Sequence, residues 1–419
     1  MSSSVMRGAP SCWFWVVLAL LAGEQAAGAI IAGYNPATTV TEHSEIDLDQ
    51  YDLEECLVDG TDWAPCARDI YENGKNSAKS SSLRTIQGFS TSAVTKFRPL
   101  TLASGRNFSV ARKFYQYFGD WEYADAFITA ALNATAPWDS LPSRWDADEI
   151  EDGRQQAIKK GTAYMATYMY TLYEFFRAIH EAQYSDDDLD DEQISEDLVH
   201  AWDEGWAFWA GSLESGAGTG VGPYVLAEKR ATSFNVNDAV NPNGGTSRVN
   251  FKMLAAAQAG RRALEDYDQS DVSAQIVDNA YSCIEQQAFI PLMQGCLLYT
   301  YKSETCTSDC GDEYGEVLTF CTAWLPLLAY VNTTASDIIA TNMNATSNVS
   351  VPLGYTATRD AIYQNLNNMN IKCGDVGYCD SCGDTMATTT SAPWCDDDTV
   401  VDYCGFAYPI DESDDDDDD

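Results

Sequence analysis

Twelve cysteines downstream of a hydrophobic leader restrict the fold of this 419-residue chain more than any other feature of its sequence. The leader has a basic residue, Arg7, an apolar run over 12–22 and a small-x-small triplet at 27–29, which is the pattern of a cleaved secretory signal. We therefore expect the mature chain to begin at Ile30. In an oxidising compartment the even number of remaining cysteines predicts disulfides. These cysteines are Cys56, Cys66, Cys283, Cys296, Cys306, Cys310, Cys321, Cys373, Cys379, Cys382, Cys395 and Cys404.

Asn-x-Ser/Thr sequons in the same chain agree with secretion. They predict glycosylation at Asn107, Asn133, Asn332, Asn344 and Asn348. The sequence ends in an aspartate run, Asp414–Asp419, rather than in the apolar tail of a GPI signal. We expect a protein released to the periplasm, the cell wall or the extracellular space, without a membrane anchor.

The charge balance excludes one large class of partners. Asp and Glu number 64 against 24 Lys and Arg, which gives a formal net charge of −40. A protein that binds nucleic acid by neutralising phosphates needs a basic face, so we expect no nucleic-acid partner. The excess of acid attracts cations, although a salty habitat would favour the same charge without any ligand.

Apolar residues recur at helical spacing after residue 107, which predicts a mainly α fold. The clearest stripe lies between Gln155 and Glu181 and contains Met165, Met169 and Leu172. Its length and regularity indicate a long helix with one buried face.

Two short patterns occur twice and indicate an internal duplication. The first keeps Glu204, Phe208 and Leu213 at the spacing of Glu316, Phe320 and Leu325, and the second pairs residues 68–73 with 359–365. We therefore expect duplicated helical units with disulfide-stapled loops. The expected boundaries are 1–29 for the signal peptide, 30–107 for an N-terminal loop region with Cys56 and Cys66, 108–245 and 246–372 for two helical halves, and 373–419 for a Cys-rich and acidic tail.

The kinds of reactive side chain in the sequence limit which metal centres and catalytic sites the chain can form. The chain has three histidines, and His43 lies in a polar leader, which argues against a His-rich zinc centre. No Gly-x-Ser-x-Gly elbow supports a serine hydrolase. Carboxylates and 23 tyrosines remain, and anionic oxygen donors of these two kinds suit a hard cation such as ferric iron.

Six sequence blocks carry a family resemblance. They are Ile70–Ser77, Arg84–Thr91, Phe118–Asp125, Trp202–Leu213, Tyr224–Arg230 and Ile362–Tyr363 leading to Cys373–Gly377. In these blocks, spread over most of residues 62–382, the chain resembles the algal iron-assimilation proteins. These are also known as low-iron-inducible or high-CO2-inducible periplasmic proteins and are grouped with the phytotransferrins. The acidic insert at 186–192 and the aspartate end fall outside the resemblance, and the membrane anchor found in some relatives has no counterpart.

The resemblance implies a binding protein, not an enzyme, that holds ferric iron, with carbonate as a candidate synergistic anion, and delivers it to a cell-surface uptake system. It transfers no ligand set, so we choose candidates by their chemistry. Glu204 and Glu316 hold equivalent places on apolar helix faces, where an unpaired carboxylate is costly. We expect them to bind the ion in a cleft between the halves, with at least one tyrosine. The candidate metal ligands are Glu204, Glu316, Asp120, Tyr123, Tyr168 and Tyr299, and the candidate anion-binding residues are Arg230 and Arg112.

Each candidate has a structural alternative. The glutamates could pair with buried Lys or Arg, the tyrosines could be core contacts, and the arginines could form surface ion pairs. Asp120 also suits a helix N-cap, and His180 suits a helix C-terminus.

Two other functions stay open. A secreted hydrolase would use a pair of carboxylates with different pKa values. A structural cell-wall glycoprotein would show the same sequons, disulfides and acidity. A comparison of ferric citrate with a panel of glycans in calorimetry would separate these functions from iron binding.

Overall fold

The structure, a computed structural model, describes residues 29–58, 62–141, 146–184, 191–240, 244–265, 271–344 and 350–406. The expected signal segment up to residue 28, most of the acidic insert, Asn348 and the aspartate end lie outside the described residues.

Helices dominate the N-terminal part, which the sequence analysis assigned to a loop region. Polar residues on these helices are buried with partners, which is why their composition resembles that of a loop. Asp49 accepts from the backbone N–H groups of Lys75 and Asn76, and Asp47 accepts from that of Leu213. The elements are α1 Thr41–Ser44, α2 Ile46–Val58, α3 Trp63–Asn73, an antiparallel hairpin of β1 Ala78–Lys79 and β2 Ser82–Leu83, α4 Ile86–Thr91 and α5 Ala93–Lys96.

The middle of the chain is built around one long helical stretch. The helices are α6 Ser109–Phe118, α7 Tyr123–Asn133, α8 Ala147–Gly161, α9 Thr167–Tyr184, α10 Asp191–Ala210 and α11 Pro223–Ser233. A π-helical segment, Thr162–Ala166, joins α8 to α9. Asp146 and Glu149 form a capping box at the start of α8, and Gly211 follows α10 with φ +79°, a conformation that favours glycine.

The C-terminal part continues with shorter helices. They are α12 Arg248–Glu265, α13 Asp271–Ala288, α14 Ile290–Thr305, α15 Gly311–Thr322, α16 Leu325–Val331, α17 Thr333–Asn342, α18 Gly354–Tyr363 and α19 Cys373–Val376. The mainly α-helical fold is confirmed. Glu204 and Glu316 each lie on the second helix of a helical pair, α9–α10 and α14–α15, while the duplication itself and the domain boundaries stay predictions.

All twelve cysteines of the described chain are paired. The disulfides are Cys56–Cys66, Cys283–Cys404, Cys296–Cys321, Cys306–Cys310, Cys373–Cys395 and Cys379–Cys382. The pair Cys283–Cys404 fastens the irregular C-terminal segment to α13 across 121 residues of sequence.

Helix α10 is held in the core by three tryptophans. The indole N–H of Trp202 donates to the carbonyl of Ala257 at 2.8 Å, and that of Trp206 donates to the carbonyl of Ile31 at 2.9 Å. Trp209 donates to Asn250 at 3.1 Å. Since two indoles fix α10 to α12 and the third fixes it to the N-terminal segment, polar groups on this helix have a defined position.

Within the described residues, no single helix is long and apolar enough to span a membrane. The bent pair α15 and α16, with 47° between its helices, meets the length and composition criterion only when the two are joined.

Candidate metal centre

Three potential metal ligands from two distant parts of the sequence converge on one point. Nε2 of His43 lies 2.7 Å from Oε1 of Glu204, and Nε2 of His200 lies 3.2 Å from the same oxygen. One ligand atom from each of the three residues lies within 4.8 Å of the others. We call these residues the His–His–Glu cluster.

Helical spacing within α10 and the packing of α1 on α10 bring the three residues together. His200 and Glu204 are four residues apart on α10, so they share one helix face. His43 comes from α1, which packs against that face and buries the imidazole beside His200 and Phe208. The sequence analysis placed His43 in a polar leader and therefore missed this contact, although the i, i+4 spacing of His200 and Glu204 was a readable signal.

The hydrogen bonds of Thr38 decide which nitrogen of His200 carries its proton. The Thr38 hydroxyl donates its single proton to Asp203 at 2.9 Å, so at 3.0 Å from Nδ1 of His200 it acts as an acceptor. Neutral His200 is therefore protonated on Nδ1, and the lone pair of Nε2 faces the carboxylate of Glu204. Two acceptors at 3.2 Å repel each other unless a proton or a metal cation lies between them.

The pKa values of the cluster follow from burial and from these contacts. Burial alone would raise the pKa of Glu204, but hydrogen bonds from His200 and His43 outweigh it and hold the pKa well below its usual range. The hydrogen bond to Glu204 raises the pKa of His200, whereas burial lowers the pKa of His43. The carboxylate is thus ionised, and the buried His43 favours its neutral, metal-binding form.

Basic groups and a further carboxyl surround the cluster. Nη1 of Arg177 lies 3.6 Å from Glu204 and 3.1 Å from Glu174, and Arg84 contacts Nε2 of His43. Burial, reinforced by the charge of Glu204, raises the pKa of Glu174 to about 8, so this carboxyl is largely neutral at pH 7.

A phenol extends the set of oxygen donors. The Tyr170 hydroxyl contacts Nζ of Lys96, and its ring stacks on Phe89 at 4.2 Å. Burial, followed by the charges of Glu174 and Glu204, raises the pKa of Tyr170 well above its ordinary value. A bound cation would lower that pKa and favour the phenolate.

The cluster has one open side. The side chains of His200 and Arg177 are 35% and 32% exposed, while that of Glu204 is 10% exposed. An ion can therefore reach the buried carboxylate past His200.

The cluster has the donor set of a transition-metal site. Two imidazoles and one carboxylate leave several coordination positions open for water or an anion. This donor set binds iron in some proteins and zinc in others.

The structure places Glu316 in a different cluster. Glu316 lies 3.3 Å from Nζ of Lys160. Burial and then the charge of Glu316 raise the pKa of Tyr299. Lys160 and Arg177, the respective partners of Glu316 and Glu204, are separated by about 25 Å along α8–α9 at 1.5 Å per residue. Two ligands of one ion lie only about 4 Å apart, so the structure does not bring the two glutamates to a shared ion.

Tyr299 and Arg230, which the sequence analysis also singled out, accompany Glu316. The Arg230 guanidinium carbon lies 5.3 Å from the centre of the Tyr299 ring. Three candidate residues are therefore brought together, but away from the His–His–Glu cluster.

The other candidates have structural roles. Asp120 is exposed and accepts from the backbone N–H of Glu122. Tyr123 is buried and stacks on Phe118, and Tyr168 donates to the carbonyl of Ala288 at 2.7 Å. Arg112 is partly buried and donates to the carbonyl of Arg98. The tyrosine contacts are the core alternative considered above, whereas the N-cap of α7 is Glu122 and not Asp120, and Arg112 binds a carbonyl instead of the expected surface carboxylate.

The four described sequons differ in exposure. Asn133 and Asn344 are exposed, whereas Asn107 and Asn332 are half-buried. Both polar atoms of the Asn332 side chain are engaged, with Asn365 and with the backbone of Ala335, so glycosylation there would require local rearrangement.

A comparison with protein families identifies the chain's relatives. The family model described as low iron-inducible periplasmic protein matches residues 15–397. The chain belongs to this family. The matched region contains nearly all of the described helices and every residue of the His–His–Glu cluster. No curated protein and no solved structure matches the chain.

The family assignment confirms the resemblance found in the sequence blocks. It connects the chain with the response to low iron and with the periplasm.

Proposed function

We propose that this protein binds ferric iron at the His–His–Glu cluster and holds it for a cell-surface uptake system. The observation that carries the proposal is the convergence of two imidazole Nε2 atoms on one oxygen of Glu204. A metal ion at that point would be bound by all three groups and would take the place of the proton between His200 and the carboxylate.

Several features favour iron over other metals. The family is described as low iron-inducible, and ferric iron prefers anionic oxygen, which Glu204 supplies. Tyr170 and Glu174 are candidate additional oxygen donors, since the charge of Glu204 acts on both. Binding would require loss of a proton from either group.

If carbonate assists iron binding, its arginine partner would be Arg84, not Arg230 or Arg112, which the sequence suggested. Arg84 contacts His43 at the cluster itself, whereas Arg230 accompanies Glu316 and Arg112 binds a backbone carbonyl. Arg84 and the open coordination positions would together hold a bidentate anion beside the metal.

A titration with ferric nitrilotriacetate, with and without bicarbonate, tests this function. We expect saturable binding of one ion, lost in Glu204→Gln and in His43→Gln. Glu316→Gln is the matched control, since it removes an equally buried carboxylate on the corresponding helix, and it should bind iron like the wild type. A visible charge-transfer band would identify a phenolate ligand, and its loss in Tyr170→Phe would assign it.

Two results would contradict the proposal. Wild-type protein that binds no iron would exclude the function, and intact binding in both cluster variants would exclude this site. Tighter binding of zinc than of ferric iron would exclude the choice of metal.

One observation favours a second candidate, the carboxylate-dependent hydrolase. Glu174 and Glu204 contact the same nitrogen of Arg177, and their surroundings move their pKa values in opposite directions. That is the arrangement of a general acid beside an ionised partner. Hydrolysis of a glycan from a polysaccharide panel, abolished by Glu174→Gln, would support this candidate.

A further inference from the structure

A second polar cluster lies between α8, α11, α14 and α15, apart from the metal centre. It consists of Lys160, Arg230, Tyr299, Lys302 and Glu316, and we call it the basic cluster. Tyr299 and Lys302 share one face of α14 and the other three residues come from three other helices, so the cluster exists only in the folded chain.

Arg230 is the central residue of the basic cluster. It is 7% exposed, and its Nε atom is buried without a hydrogen-bond partner. Among the described residues, its guanidinium makes no ion pair within 4.0 Å and instead faces the rings of Tyr299 and Phe320 at 5.3 and 5.7 Å. Cation–π contacts offset only part of the cost of burying a cation.

The carboxylate of the basic cluster is already engaged. Glu316 lies 3.3 Å from Nζ of Lys160, and burial lowers the pKa of Lys160 despite that carboxylate. The next carboxylate, Glu54, is paired with Lys159 at 2.7 Å. Lys302 is exposed and its Nζ lies 4.6 Å from the centre of the Tyr299 ring, so the basic cluster has more cations than anions and Arg230 is the buried one without a carboxylate partner among the described residues.

The excess of positive charge in the basic cluster is unusual for a chain with a formal net charge of −40. An acidic protein has ample carboxylates to pair with an arginine, and half-buried arginines here do pair, such as Arg359 with Asp384 at 3.2 Å. Arg230 instead lies against the Tyr299 ring with its Nε atom unpartnered, and burial raises the pKa of the Tyr299 phenol to about 12.

We propose that the basic cluster binds a small oxyanion, with Arg230 as its main donor and Lys302 at its entrance. Tyr299 lies beside the Arg230 guanidinium, and its phenol remains protonated at neutral pH because burial raises its pKa. A small planar or tetrahedral oxyanion matches the guanidinium fork and would compensate the buried charge. The site is independent of the metal centre, about 25 Å away along α8–α9.

Calorimetric titration of the metal-free, full-length protein with phosphate, bicarbonate and sulfate in separate arms tests the proposal. A chloride-free buffer of low ionic strength avoids competition from chloride and screening. We expect saturable binding of at least one anion, weakened at least tenfold in Arg230→Gln and several-fold in Lys302→Gln. Arg112→Gln is the matched control, since it removes a guanidinium outside the basic cluster that also has an unpartnered Nε and donates to a backbone carbonyl; it should bind like the wild type. The arm with the tightest binding identifies the anion.

The anion-binding proposal can be tested even if one of the two variants does not fold. Lys302 is exposed, so Lys302→Gln is expected to fold even if Arg230→Gln does not, and circular dichroism checks both. Iron binding at the His–His–Glu cluster should be unchanged in each variant. The proposal is refuted if no anion binds the wild type, if folded Lys302→Gln and Arg230→Gln bind as tightly as the wild type, or if binding requires iron and disappears in Glu204→Gln.

Discussion

Replacing Gly205 with alanine should move a metal ligand without removing any. Gly205 lies next to Glu204 on α10 and faces the fully buried ring of Phe175 on α9. A Cβ atom at this position would lie 2.8 Å from two atoms of that ring. Phe175 is held in turn against Trp202, with ring centres 4.8 Å apart, so the ring has little room to withdraw.

The size of the effect follows from these distances. An ordinary contact needs about 3.5 Å between carbon atoms, so α9 and α10 must separate by about 0.7 Å. Overpacking of this kind costs about 1–3 kcal/mol, and the better helix propensity of alanine returns about 1 kcal/mol. We expect a net loss of about 2 kcal/mol at most. For a chain of this length that loss lowers the Tm by about 2–3 °C.

The shift should affect iron binding more than stability. His200 and Glu204 move with α10, whereas α1, which carries His43, also packs against α2 and β1 and follows α10 only in part. Metal–ligand distances tolerate only about 0.2 Å. We expect ferric affinity to fall about tenfold, measured by competition with nitrilotriacetate, while scanning calorimetry reports the Tm.

Gly222→Ala is the matched control. Gly222 is the N-cap of α11 and packs against the end of α10, but a Cβ atom there makes ordinary contacts of 3.6 and 3.8 Å with the backbone oxygens of Trp209 and Ala210. It should leave iron affinity unchanged. If Gly205→Ala binds iron as tightly as the wild type, the α9–α10 spacing does not position the ligands and the reasoning is wrong.

Three other predictions concern pH and the disulfides. Iron affinity should be full above the raised pKa of His200 and should fall as pH drops through it, because the proton displaces the metal from Nε2; a titration series from pH 8 to pH 5 would reveal a flat profile if this is wrong. The stability of the metal-free protein should depend on pH in the opposite direction. The protonated His200–Glu204 pair stabilises the fold at pH values below the pKa of an unfolded histidine, about 6.5, and this stabilisation is lost as pH rises through the raised pKa of His200. Denaturation at several pH values measures this. Removing Cys283–Cys404, which closes a separation of 121 residues, should cost up to about 5 kcal/mol of unfolding free energy in guanidinium chloride, and more than removing Cys306–Cys310, whose separation is 4; equal losses would contradict the loop-length argument.

Much of the fold could be predicted from the sequence because the relevant signals are local. Apolar stripes at helical spacing identify helices wherever one face is buried. The N-terminal helices were missed because Asp47 and Asp49 are buried polar residues with backbone partners from distant segments. Composition cannot distinguish such residues from those of a solvated loop.

The candidate site was predicted only in part, for a similar reason. Glu204 stood out as a carboxylate on an apolar face, and Glu316, Tyr299 and Arg230 do lie together. The equivalence of the two glutamates in sequence carried no information about their neighbours, since one meets imidazoles and the other a lysine.

The sequence by itself determined the helical class, the family and the complement of cysteines, because periodicity, ordered sequence blocks and cysteine number need no third dimension. Only the tertiary structure decided that His43 meets Glu204 across 161 residues, where α1 packs on α10. Only it decided that Arg230 is buried without a carboxylate partner among the described residues. Both outcomes depend on which helix faces are buried against each other, and that choice is made by the packing of the whole core.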